Sequence, residues 1–188
     1  MIKENAGIRR FVWEHFQGLN RVVQCMKYCR GTFSGHKTVL CAAEITVVGH
    51  HCTLEGRLPE EDCVGIINRW PACNTISKVQ MFLGTIGVCR VFIRDFAKLA
   101  GPLNELLRKD IPFHWGLEQE KSMVDLKTGF ANAIPLGSIN YESEGTIVLA
   151  VDMSWKAVGF YIYQKSDDGK RKKTFVKFGS ITLNKREA

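Results

Sequence analysis

Apolar residues between positions 8 and 28 fall at Ile8, Phe11, Val12, Phe16, Leu19, Val22, Val23 and Met26, with His15 on the same stripe. That i, i+3, i+4 spacing predicts a helix with one core-facing side. Gly31, Thr32 and Gly35 end it. Residues 37–53 are rich in β-branched side chains and predict two strands or one bent hairpin, with Gly49 as a bulge or point of close approach. Gly56-Arg57-Leu58-Pro59 has the composition of a turn, and a helix is expected near Glu60–Trp70, stopped by Pro71.

A longer helical pattern follows. Ser77 is a candidate cap, and Val79, Phe82, Leu83, Ile86, Ile93 and Phe96 lie along one broad face, with Gly87 as an interruption. Gly101-Pro102 breaks the pattern, and Leu103, Leu106 and Leu107 form a short helix beyond it. Glu118–Phe130 is amphipathic again. Residues 131–145, with Pro135, Gly137 and Gly145, have no period and are the best linker candidate. From Thr146 the pattern turns to β. The runs 146–154, 157–164 and 174–181, joined by short turns, predict an antiparallel meander. Ser180–Glu187 looks like the start of another helix, which the last residue, Ala188, leaves short, as in a chain cut at its C-terminus.

Composition narrows the partners. The chain has 188 residues, enough for one domain or two small ones, and a formal net charge of +7. That balance favours an anionic partner such as nucleic acid. No apolar run approaches the ~20 residues of a membrane span, and the N-terminus lacks the apolar core of a signal peptide. The seven cysteines, all in the first half, are expected to be reduced thiols of an intracellular protein of the cytoplasm or nucleus, not a secreted one. His50-His51-Cys52 with Cys25, Cys29 or Cys63 suggests zinc. Neighbouring strand residues point to opposite faces, however, and the chain has no CxxC pair.

Several motifs, in order, resemble the reverse transcriptase of gypsy-class long-terminal-repeat retrotransposons. Val47-Val48-Gly49-His50 is similar to the family's primer-grip strand, followed by Glu55-Gly56-Arg57-Leu58-Pro59. Ile67-Asn68-Arg69-Trp70-Pro71 resembles its "I..WP" turn, and Phe82-Leu83-Gly84 with Arg90, Phe92-Ile93 and Phe96 resembles its "FLG…YRRFI..F" helix. Pro102-Leu103-Asn104-Glu105-Leu106, Phe113-His114-Trp115 with Glu118-Gln119, and Val151-Asp152-Met153-Ser154 with Gly159 complete the series. Two departures stand out. Val-Val replaces Phe-Leu before Gly49, and Gly87-Val88-Cys89 replaces the aromatic pair before Arg90.

The resemblance implies an α+β chain, a helical thumb/connection region followed by a truncated ribonuclease H-like antiparallel β-meander. Its parts would be the end of the polymerase palm (1–58), the thumb and connection (59–130), a linker (131–145) and the opening of the ribonuclease H-like domain (146–188). The parent family is an RNA-directed DNA polymerase with ribonuclease H, encoded in a polyprotein of a transposable element. The family's paired polymerase aspartates have no counterpart here. Of its ribonuclease H acids, Asp152 and Glu187 match the first two, an incomplete Mg²⁺ site, so a catalytically incomplete fragment that binds no metal stably by itself is expected. Gly49 and His50 of the primer grip, and Arg90, Arg94, Lys98, Arg108 and Lys109 of the thumb, are the implied contacts to an RNA–DNA hybrid or template–primer duplex. Arg90 and Arg94 have an alternative use, as partners of Asp95 and Glu105. The run Lys170-Arg171-Lys172-Lys173 is best explained as a solvated hairpin tip. The other functional class is a captured, non-enzymatic interaction protein built on the helices.

Overall fold

In a computed structural model, residues 3, 5–155, 157–166 and 172–183 are described. The chain forms two compact units, Met1–Ala42 and Ala43–Ala188.

The first unit is built on α1 (Arg10–Tyr28). The helix forms as its periodicity requires, but none of its side chains is buried; Phe11 is 63% and Phe16 42% exposed. Among the described residues, the expected core-facing stripe is at most half-buried, at Ile8, Val12, Leu19 and Met26. The physical reason is the lack of a second long element: the described remainder of the unit contributes only a 3₁₀ turn, Gly35–Lys37.

The second unit begins with a three-stranded antiparallel sheet, β1 (Ile45–Val47), β2 (His50–Thr53) and β3 (Gly56–Pro59). The strand pattern expected from residue 37 starts later, and Val39 and Leu40 are exposed. Gly56–Pro59 is a strand rather than a turn, and the turn lies one step earlier, at Leu54-Glu55. Pro59 is tolerated because it is the last residue of an edge strand. Pairing of Val47 with His50 leaves Val48-Gly49 as a two-residue hairpin loop, with φ of 50° and 76°. Positive φ at both central residues is the type I′ requirement, which suits Gly49 and strains the β-branched Val48.

The helices follow as α2 (Glu61–Asn68), α3 (Ile76–Val88), α4 (Phe96–Leu99), α5 (Gly101–Glu105) and α6 (Leu117–Ala131). Thr75, not Ser77, caps α3, accepting a hydrogen bond from Lys78 N at 3.3 Å; Ser77 is already helical. The long face expected across 79–96 is broken into pieces. The α3 helix ends one residue after Gly87, the chain tightens into a 3₁₀ turn at Arg90–Phe92, and Asp95 adopts the left-handed conformation at φ 56°. The apolar positions nevertheless reach one core. Ile67, Val79, Phe82, Ile86, Phe92, Ile93, Leu103, Leu106, Met123, Leu126 and Phe130 are each 3% exposed or less.

The meander comprises β4 (Ile147–Met153), β5 (Ala157–Lys165) and β6 (Lys173–Thr182), in that spatial order. Ser180–Thr182 continues β6 instead of opening a helix. A register shift in the β5–β6 pairing between Ile162 and Tyr163 brings Phe175 to the same face as Phe178 and Tyr161, where they pack against the helical core, with the Phe175 and Phe178 rings 5.5 Å apart. The α+β order expected from the sequence, helices and then an antiparallel meander, is the order observed. Residues 131–145 are irregular but anchored. Leu136 is buried and bridges Arg57 of β3, Gly137 N donates to Phe175 O at 2.7 Å, and Gln164 holds Asn140 and Gly145 through three hydrogen bonds.

Candidate nucleic-acid interface

The β1–β2 hairpin and the α3–α4 junction meet. His50 packs its ring on Phe92, centroid to centroid 5.2 Å, which sets Gly49 and His50 beside the turn that carries Arg90 and Arg94. His50 Nδ1 is buried with no hydrogen-bond partner, a polar atom whose desolvation nothing in the described residues compensates. The next histidine, His51, points the other way along the strand, where its Nε2 lies 3.4 Å from Glu44. That divergence removes the paired-ligand geometry zinc would need, and no group of three His, Cys, Asp or Glu able to hold a metal exists among the described residues.

The five basic candidates are all exposed but are not equivalent. Arg94 is occupied. Its Nε lies 3.5 Å from Asp95, and its guanidinium sits 5.0 Å from the centre of the Tyr161 ring. Its work is thus partly structural, joining the helical block to β5. Arg90, Lys98, Arg108 and Lys109 make no ion pair among the described residues, so Glu105 is partner to neither Arg90 nor Arg94. Arg90 opens the 3₁₀ turn, Lys98 lies on α4, and Arg108 and Lys109 follow α5. Four exposed, unneutralised cations on consecutive short elements can each meet a phosphate.

Asp152 is exposed on β4, an edge strand, directly opposite Gly159 of β5. Glu187, with Lys170 and Arg171, lies outside the described residues. The acid that does approach is Asp95, whose Oδ1 lies against the bare backbone of Gly159. Sequence reasoning missed this role of Asp95; the only available signal was an acid in a stretch of the chain otherwise basic and apolar. It also missed Ser180, whose hydroxyl accepts from Ala97 N at 2.8 Å and ties β6 to α4. Asp152 together with an Asp95 carboxylate already engaged by Arg94 does not fit a two-metal centre, which needs several converging oxygens.

This chain, a strand-and-helix block docked on an antiparallel meander, is similar in sequence to part of a retroelement polyprotein. Over 157 residues, 84% of this chain, it is 26% identical to the Transposon Tf2-3 polyprotein of Schizosaccharomyces pombe, and the Tf2-4 polyprotein of that organism gives the same figures. The chain spans 12% of the length of these relatives. A foamy viral protease–reverse transcriptase solved in complex with double-stranded DNA superposes with a TM-score of 0.72 at 21% identity, covering 93% of this chain and 30% of that one. A foamy viral protease–reverse transcriptase in complex with an RNA/DNA hybrid gives 0.70 at 22% identity, covering 94% of this chain and 23% of that one. The fold is therefore that of part of a reverse transcriptase. No family model matches the chain.

Proposed function

We propose that this chain is the segment of a gypsy-class retrotransposon polyprotein that runs from the end of the reverse transcriptase palm into the opening of the ribonuclease H-like domain, and that it grips template–primer nucleic acid. The observation that carries the reading is the agreement of two independent likenesses, in sequence to the Tf2 polyproteins and in fold to the viral reverse transcriptase, over most of the same chain. The divisions at 1–58, 59–130, 131–145 and 146–188 go with it. Gly49 and His50 approach the primer end from the hairpin, and the unpaired Arg90, Lys98, Arg108 and Lys109 lie along the phosphates. Arg94 contributes less, since Asp95 and Tyr161 already hold it. Polymerisation needs carboxylates from elsewhere, and Asp152 with Glu187 makes an incomplete Mg²⁺ site, so this segment binds without cleaving. An intracellular setting, cytoplasmic or nuclear, follows from the same reading.

Photo-crosslinking to an RNA–DNA hybrid carrying a reactive primer end tests it. Crosslinked peptides should come from residues 45–59 and 90–109, and the labelled hybrid should stay intact in Mg²⁺. Crosslinks spread evenly over the chain would contradict the grip, and hybrid cleavage lost on Asp152→Asn would contradict catalytic incompleteness.

A further inference from the structure

The last turn of α1 gathers three sulfur-bearing side chains that the grip does not use. Cys25 and Cys29 are both exposed, and Cys29 N donates to Cys25 O at 3.0 Å, so the helical turn runs unbroken from one to the other. Residues at i and i+4 share a helix face, with Cβ atoms about 5–6 Å apart. Met26, three residues before Cys29, adjoins it on the same surface. Its side chain runs on past the helix end: a Cβ on Gly31 would stand 3.3 Å from the Met26 sulfur. The remaining cysteines lack this arrangement. Cys41 is alone beyond the 3₁₀ turn, and Cys52, Cys63, Cys73 and Cys89 belong to the second unit.

The spacing selects the chemistry. A disulfide needs Cβ atoms about 3.5–4.5 Å apart, closer than one helical turn sets them. A metal ion held by two thiolates, each bond about 2.3 Å long as in a zinc site, spans the wider gap. Zinc itself calls for a tetrahedron of thiolate, imidazole or carboxylate donors, and no group of three His, Cys, Asp or Glu able to hold a metal exists among the described residues. Two thiolates and a thioether are a soft set, which favours Cu(I). We propose that Cys25, Met26 and Cys29 form a surface site for Cu(I). Two Cu–S bonds form as the two thiols release their protons to solvent, and a third forms to the neutral Met26 sulfur, with no change in oxidation state. The resulting centre carries one negative charge, in a stretch that also holds the cations Lys27 and Arg30. The bound ion staples the last turn of α1, so the site stands whether or not the second unit grips nucleic acid.

The test titrates the intact, reduced chain under nitrogen with the acetonitrile complex of Cu(I), with bathocuproine disulfonate as the coloured competitor. The wild type should retain one Cu(I) per chain. Cys25→Ser and Cys29→Ser should each lose it to the competitor, Met26→Leu should hold it more weakly, and Cys41→Ser should match the wild type. Retention by both serine variants, loss in Cys41→Ser, or equal affinity in Met26→Leu would overturn the three-sulfur site. X-ray absorption of the copper-loaded wild type decides even if a variant fails to fold. Three sulfur neighbours are expected; nitrogen neighbours, or sulfurs shared between two chains as shown by a doubled mass on loading, would contradict the proposal.

Discussion

Gly159 is a point of close approach between the helical block and the meander, and replacing it with alanine should uncover what holds them together. An ideal Cβ there would stand 2.7 Å from Asp95 Oδ1, closer than real Cβ contacts come. Asp95 cannot yield freely, because its backbone is fixed in the left-handed region and its carboxylate faces Arg94. Moving it away gives up an exposed ion pair, worth at most ~1 kcal/mol. It also unseats Arg94 from the Tyr161 ring, worth about 0.5–1 kcal/mol at an exposed site. Against this, alanine is about 0.5–1 kcal/mol better than glycine inside a strand. With residual crowding added, Gly159→Ala should cost about 1–2 kcal/mol. The control is Asp95→Gly, which removes the carboxylate and suits the positive φ. In that background Gly159→Ala should be neutral or slightly stabilising, leaving a coupling of at least ~1 kcal/mol between the two sites. Urea unfolding of the intact chain, followed by tryptophan fluorescence, measures all four corners of the cycle. An equal cost of Gly159→Ala in both backgrounds would refute the view that Asp95 is the group that requires a glycine there.

Three further outcomes follow from the packing. Val48→Asn should stabilise the hairpin by about 1 kcal/mol, since asparagine accepts the left-handed conformation that strains valine; a lower urea midpoint would count against the type I′ assignment. Phe130→Ala, at a fully buried core position, should cost about 3–5 kcal/mol, and a loss under 1 kcal/mol would mean the core lies elsewhere. Burial, with Cys63 adding to it, pushes the Cys89 thiol up from 9.0 to about 12. The unfolded chain then releases that proton before the folded chain does, so stability is full below pH 9 and falls as pH rises toward 12. Cys89→Ala should make the alkaline decline shallower, as read from melting temperatures across that window; an unchanged slope would refute it.

The order of elements was legible because periodicity is local. Val79, Phe82, Ile86 and Ile93 sit at helical spacing and all reach the core, although the helix that carries the first three stops before the last. The break at Asp95 was not legible, since nothing in Arg94-Asp95-Phe96 demands a positive φ; in the fold its carboxylate lies against Gly159 of the meander. Gly56–Pro59 looked like a turn because Gly and Pro punctuate chains, yet both suit the ends of a short edge strand. The stripe of α1 was correctly located but its cover was not, because an amphipathic pattern specifies which face would be buried and not what buries it. Residues 131–145 carried no period, and part of their anchoring comes from Gln164, a polar side chain that follows the apolar and aromatic run of β5. Among the site residues, His50, Arg90, Lys98 and their neighbours were available only through the family motifs. That Arg94 is engaged while the other four basic residues make no ion pair among the described residues required the geometry.

The most direct measurement is the salt dependence of binding to an RNA–DNA hybrid, for the wild-type chain and for a variant carrying Arg90→Gln, Lys98→Gln, Arg108→Gln and Lys109→Gln. The wild type should lose affinity linearly on a log–log plot against salt, and the variant's slope should be shallower by about 3.6, each of the four lost phosphate contacts removing about 0.9. Equal slopes for the two chains, or wild-type binding indifferent to salt, would contradict a grip made by those four cations.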